Sequence, residues 1–385
     1  MAEQLISPDL KFVKEVMKNG GESLKKCFQC ATCSVVCNVT PDNQPFPRKE
    51  MVLAQWGQKE KLFSSPDIWL CHQCSDCTAY CPRGAKPGEV LGAIRKLTLK
   101  NYSSPSFLGS MVGDAKYLIL LLLVPIILFG VVAPYVAQNF IPAEFLHGHT
   151  PGYLHEAMTS SGPIVYAEKL MPVPLIDIIF VSAALFALIS FVFGIRKYWA
   201  DMSRGVVQKG NLVTNIKDTI FEILAHKRFQ ECNVTKARST AHLLVFYAFI
   251  GLAITTTWAI VYLYGLHWES PYPLTDPLKI VGNASALALL IGITLVIANR
   301  FENAEKAGLG SYYDWIFIAD VFCIMLTGIL SEVLRLADIA VFAYPVYFTH
   351  LVFIFFLFAY APFSKMAHML YRATAMVFAK QVARE

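Results

Sequence analysis

The pattern of apolar and polar positions divides the chain in two. Up to about residue 116, apolar residues alternate with charge, including 15 lysines and arginines, and no long apolar run occurs. From Tyr117 onward six apolar stretches follow, at 117–137, 174–195, 242–264, 279–298, 315–334 and 345–363. Each is near the ~20 residues that a helix rising ~1.5 Å per residue needs to cross ~30 Å of hydrocarbon. Six such runs leave too little polar surface for the other reading, the buried helices of a large soluble core. In the front section Ser7 can cap a first helix, with Pro8 in its first position and Gly20 and Gly21 at its end. A second helix is expected around Arg48 to Lys59 and a third from Pro87 toward Lys100. No segment alternates with the period of two that a half-buried strand needs. The expected class is therefore all-α, a helical head followed by a six-helix transmembrane bundle.

Composition sharpens the membrane reading. Hydrophobic residues make up 55% and charged residues 16%, against roughly 45–50% and 25% in soluble domains. The excess of 33 basic over 28 acidic residues is too small for nucleic-acid binding, so its distribution matters more. The head, the 196–240 loop, the 300–314 loop and the C-terminal tail carry 15, 9, 2 and 4 of the basic residues. The positive-inside rule then puts the head and the C-terminus in the cytoplasm, on a chain that crosses the inner membrane. The N-terminus, MAEQLISPDLKFVKEVMKNG, lacks the apolar core of a secretory signal.

Eight of the ten cysteines lie in the first 81 residues, and Cys232 and Cys323 stand alone. In a reducing compartment clustered thiols read as metal ligands. The spacing is Cys27-x2-Cys30-x2-Cys33-x3-Cys37 and, 34 residues on, Cys71-x2-Cys74-x2-Cys77-x3-Cys81-Pro82. Such runs hold two [4Fe–4S] clusters, three thiolates of one run gripping a cubane and the fourth reaching across to the other. Cluster one is then expected on Cys27, Cys30, Cys33 and Cys81, and cluster two on Cys71, Cys74, Cys77 and Cys37. Zinc, the alternative, prefers two separated C-x2-C pairs. Asn38 stands where a proline usually follows the fourth cysteine, which removes no ligand.

Three histidines carry the membrane chemistry. His350 and His368 are 18 residues apart, which on one continuous helix is five full turns at ~100° per residue. Both rings then leave one face, so a single helix can give an axial ligand to each of two haems. His242, at the inner end of an antiparallel span, matches His368 in depth, and bis-imidazole haem ligation explains a histidine at the edge of an apolar run. An inner haem is expected on His242 and His368, and an outer haem on His350. A quinone site belongs near a haem edge and a proton-exchanging side chain. The outer side offers His350 with His267 and His155, and the inner side offers His226 and Asp320. Neither a nucleophile–base pair nor a phosphate loop nor a dinucleotide fingerprint occurs, so other substrate chemistry falls to other subunits.

The stretch from His350 through LVFIFFLFAYAPFSKMA to His368 resembles the last helix of the respiratory nitrate reductase gamma family, and AHLLVFYAFIGL at 241–252 resembles that family's second helix. The likeness covers spans two to six, with span one extra. Leu252 stands where that family carries a further haem histidine, so one or two haems b are expected. The head resembles the small iron–sulfur subunit of heterodisulfide reductase. A fusion in this order resembles the membrane-anchored iron–sulfur and cytochrome b subunit of the quinone-interacting membrane-bound oxidoreductase complexes of sulfate reducers. The resemblance implies a ferredoxin-like head over 1–112, an extra helix and outer loop over 113–170, and a five-helix cytochrome b domain over 171–385. It also implies menaquinone as substrate, two soluble flavin-containing heterodisulfide reductase A-like subunits, and adenylylsulfate reductase as final electron partner. Other readings are the membrane subunit of a heterodisulfide- or sulfite-reductase-linked complex and, in a different class, a redox-sensing membrane regulator.

Overall fold

The computed structural model describes residues 7–146, 152–226 and 236–384; His147, His149 and Cys232 lie outside them. The chain is 74% helical, with no strand among the described residues, as the all-α reading expects. Among the described residues six helices are long and apolar enough to cross a membrane: Ala115–Phe140, Val173–Met202, Arg238–Gly265, Pro277–Glu302, Tyr312–Leu336 and Ala340–Ala359. Many of their apolar side chains face outward, among them Ile119, Val181, Leu188 and Leu287. Outward apolar surface on this scale belongs in lipid.

The head is built from short helices. The first runs Leu10–Lys18 and is capped by Asp9, whose carboxylate accepts from the Phe12 amide at 2.9 Å. The cap is thus not Ser7, and Pro8 stays outside the helix; an aspartate adds negative charge at the positive end of the helix dipole. Arg48–Gln55 and Pro87–Tyr102 form where the spacing predicts them. A helix over Leu212–Ala225 lies within the 196–240 connection, capped by the Asn211 side chain at 2.9 Å from the Val213 amide.

The last membrane helix departs from expectation. It ends at Ala359, two short turns follow at Ala361–Phe363 and Lys365–Ala367, and a separate helix starts at His368 and runs to Gln381. Pro362 has no amide to continue the ladder, and Ser364 adopts extended backbone with ψ 179°. His350 and His368 therefore leave different helices, and the five-turn argument for a shared face does not hold.

That C-terminal helix folds back onto the head. Tyr371 stacks on Trp69 of the head with ring centroids 5.2 Å apart and touches Tyr198 of the second span at 5.6 Å. Gly194 makes the room: a Cβ there would sit 2.4 Å from the Tyr371 hydroxyl. One apolar core includes Phe12, Leu24 and Ile68 of the head, Tyr198 and Met202 of the second span, and Phe378 of the C-terminal helix. Each large side chain so buried stabilises by about 1.5–3 kcal/mol. Beside it the fully buried Asp67 accepts from Lys49 at 2.5 Å and from Arg384 near the C-terminus.

Glu50, also fully buried, lies 3.4 Å from Lys49. Burial, and then the neighbouring Asp67 carboxylate, push Glu50 up to about 8. An unfolded glutamate titrates near ~4.3, so between these values the folded head holds a proton that the unfolded chain has released. Stability therefore falls as pH rises through this window. Glu50→Gln should flatten the dependence, giving a thermal midpoint that changes less between about pH 5 and pH 8 than that of the parent protein. An equally steep dependence in the variant would remove Glu50 as its source.

Candidate functional site

The two cysteine runs fold alike. In the first, Gln29 (φ 60°) and Ala31 (φ 69°) flank Cys30; in the second, Gln73 (φ 53°) and Ser75 (φ 69°) flank Cys74. None of the four is glycine, and each left-handed residue costs roughly 1–2 kcal/mol. The same strain at matching positions of two loops marks a conformation imposed by function. It curls the backbone around the thiols: the Gln29 amide donates to Cys27 Sγ at 3.4 Å, and the Gln73 amide donates to Cys71 Sγ at 3.3 Å. A one-turn helix then carries the third cysteine of each run, Cys33 in Thr32–Val35 and Cys77 in Asp76–Ala79.

The thiols group across the runs. Burial, with Cys27, Cys30 and Cys81 close by, pushes Cys33 up to about 11. Burial, with Cys71 and Cys74 close by, pushes Cys37 up to about 12. Cys77 is raised well above the usual thiol range by burial and by Cys71, Cys74 and Cys37. Thiols that oppose one another's ionisation need a cationic centre among them, and soft thiolate sets suit iron–sulfur clusters. Cys30 is exposed, and its bonds to Thr32 lower it.

Residues 23–85 match the 4Fe-4S dicluster domain. The chain is 34% identical over 95 residues to a protein of Archaeoglobus profundus that is like the C subunit of heterodisulfide reductase, a match covering 24% of this chain and 50% of that protein. The C subunit of the H(2):CoB-CoM heterodisulfide,ferredoxin reductase of Methanothermobacter marburgensis matches at the same identity and coverage. A rice mitochondrial succinate dehydrogenase iron–sulfur subunit is 29% identical over 92 residues, 20% of this chain and 33% of that one. The chain thus spans about half the length of the heterodisulfide reductase relatives it matches. No solved structure matches it. The N-terminal head is a 4Fe-4S dicluster domain of the type found in the C subunits of heterodisulfide reductases, joined to six membrane-length helices.

The histidines gather at two levels of the bundle. At the head side, His368 lies within electrostatic reach of His242. The Lys365 carbonyl, which can only accept, stands 2.6 Å from His368 Nδ1, so the proton is on Nδ1 and the Nε2 lone pair is free for a metal. His226, at the end of the Leu212–Ala225 helix, packs its ring 5.5 Å from that of His242. Toward the far side, His350 Nδ1 faces the Ile324 carbonyl at 3.0 Å and the Thr327 hydroxyl at 3.1 Å, which again leaves Nε2 to bind. The His350 ring lies flush on Gly328, where a Cβ would fall 2.8 Å from the ring. Both rings have the backbone tether expected of haem ligands. Leu252 sits in an apolar cluster with Leu289, Ile293 and Ile318.

A cavity of about 250 Å³ opens beside His350, lined also by Tyr166, Tyr347, Lys279, Glu332 and Arg335. Lys279 and Glu332 are ion-paired, and Arg335 lies 3.7 Å from Glu332. Neither His267 nor His155 lines it, and both are exposed. Asp320 is buried in the fifth span one turn on the head side of Ile324, and its Oδ1 has no hydrogen-bond partner among the described residues. Sequence reasoning missed Lys279, Glu332 and Arg335. Their signal was there: Glu332 and Arg335 sit three apart at the end of an otherwise apolar run, where charge is rare and functional. Anaerobically purified protein should contain about eight iron and eight acid-labile sulfide per chain; zinc in their place, without absorption near 400 nm, would refute the assignment.

Proposed function

We propose that this chain is the membrane subunit of an oxidoreductase complex, passing electrons between menaquinone and soluble flavin and iron–sulfur partners. The observation that carries the reading is the shared core that docks a two-cluster head on the end of the bundle where His242 lies within electrostatic reach of His368. Cluster one takes Cys27, Cys30, Cys33 and Cys81, and cluster two takes Cys71, Cys74, Cys77 and Cys37. The grouping of the buried thiols supports this crossed pairing. A Cys74→Ser variant should lose one cluster's signal and largely keep the other.

His242 and His368 would hold an inner haem b, and His350 would give one ligand to an outer one. Where bound, haem would supply an iron that takes up and releases single electrons. The backbone tethers on His368 and His350 fix which nitrogen faces the metal. The head and the C-terminus are cytoplasmic. Replacing either His242 or His368 with alanine should remove the same b-type spectrum while the clusters remain. Unchanged spectra in both variants would refute the pairing.

Menaquinol is oxidised at the outer side, in the cavity that His350 and Glu332 border. Oxidation releases two electrons, which would leave on the His350 side toward His242 and His368, and two protons, which Glu332, paired with Lys279 and near Arg335, would take up in turn and pass to the outer water. His350→Ala should abolish quinol oxidation, and Glu332→Gln should slow it by about 10²-fold, the usual share of a general base. Normal rates in both would place quinol elsewhere, with Asp320, His226 and His267 the next candidates. Two flavin-containing heterodisulfide reductase A-like subunits and adenylylsulfate reductase are the proposed partners. The names of the head's relatives favour a second reading, a heterodisulfide-linked complex. Co-purification from native membranes distinguishes the two by the subunits recovered.

A further inference from the structure

The two cysteine loops differ in the charge that grips them. The second loop is held by three arginines from three elements. Arg95, on the head helix Pro87–Tyr102, donates to the carbonyl of Cys71 and, at 2.5 Å, to that of Ile68. Arg238, where the third span begins, donates to the Gln73 carbonyl at 2.5 Å. Arg372, on the C-terminal helix, donates to His72 Nε2 at 2.6 Å. His72 is buried, and all three arginines are partly so. The first loop has Arg48, 2.9 Å from the Gln29 carbonyl, and Arg83 over the Phe28 ring at 4.2 Å; both belong to the head and both are exposed.

Arg238 and Arg372 therefore belong to the membrane half yet bond the loop of one cluster only. The same arginines stand near the head-side histidines: Arg238 and Arg372 lie within electrostatic reach of His242, and Arg95 and Arg372 within reach of His368. Around the first loop the surface is open. Cys30 is exposed, Phe28 is 67% exposed and Val35 is 83% exposed.

Resting on the reading above, we propose that the cluster on Cys37, Cys71, Cys74 and Cys77 exchanges electrons with the membrane half, and that Arg238 and Arg372 are positioning residues for that transfer. They dock the loop on the bundle and place fixed positive charge beside it. A cluster gains negative charge on reduction, so nearby cations favour its reduced state, and they act more strongly where burial excludes water. Each electron given up on the histidine side is taken up on the cysteine side, with no bond made and no proton moved. The first cluster, ringed by exposed apolar residues, is then the one that faces a soluble redox protein.

The test is a potentiometric titration of both cluster signals by electron paramagnetic resonance in the anaerobically purified full chain. The signal lost in Cys74→Ser identifies the second cluster. In Arg372→Gln and Arg238→Gln that signal should move to lower potential while the other stays. Arg372→Lys, which keeps the charge, should keep most of the parent potential. After a menaquinol pulse, cluster reduction should slow by about tenfold, the effect of ~1.4 kcal/mol on a barrier, with reduction on the His350 side unchanged. A shift in the other cluster, equal shifts in both, or no shift would overturn the proposal. If Arg372→Gln does not assemble, Arg238→Gln, which removes a bond to a single carbonyl, carries the same test. Parent protein without cubane or b-type signals would refute the underlying reading; normal signals without a selective shift would refute this inference alone.

Discussion

The arrangement of the two halves rests on one aromatic cluster, in which Tyr371 stacks on Trp69 and leans against Tyr198. It brings together a head residue, a residue of the C-terminal helix and a residue of the second span. Around it lie the shared apolar core and the bonds of Arg238, Arg372 and Arg384 to the head. With it the cysteine loops are held in register with the end of the bundle. Long-range electron transfer falls off steeply with distance, so the contact sets the chemistry as well as the stability. Its geometry relies on an absence, the missing side chain at Gly194 that admits the Tyr371 ring.

A second constraint is the handling of polar groups inside apolar surroundings. The described spans contain few charges, and most are paired: Lys279 with Glu332, and Asp314 with Lys365. His350 has its Nδ1 tied to the fifth span. Asp320 is the exception, buried with an oxygen that has no hydrogen-bond partner among the described residues. An unpartnered ionisable group in hydrocarbon is expensive, and where it persists it usually serves ions, protons or substrate.

Much of this was legible in the sequence, because its strongest signals are local. Six apolar runs of membrane length became six helices. The cysteine spacing predicted a two-cluster head, and residues 23–85 match that domain. What failed depended on single residues acting against a regular pattern. Pro362 and Ser364 break the last helix, so counting turns from His350 to His368 misled. Asp9 outcompeted Ser7 as a cap because its charge complements the helix dipole. The pairing of Glu332 with Lys279 joins the fourth and fifth spans, and no spacing within one segment reveals a contact between two.

The C-terminal helix has a consequence for dividing the protein. By sequence it belongs to the membrane half, but Tyr371, Ala375 and Phe378 pack into the core of the head. His368 is its first residue. A cut between residues 112 and 113, the boundary expected from the sequence, would leave the bundle with a bare apolar stripe and a histidine lacking the scaffold that aims it. The halves are separable as text but not as matter. Head and bundle thus form one mechanical object, held together by a joint some 250 residues beyond that cut.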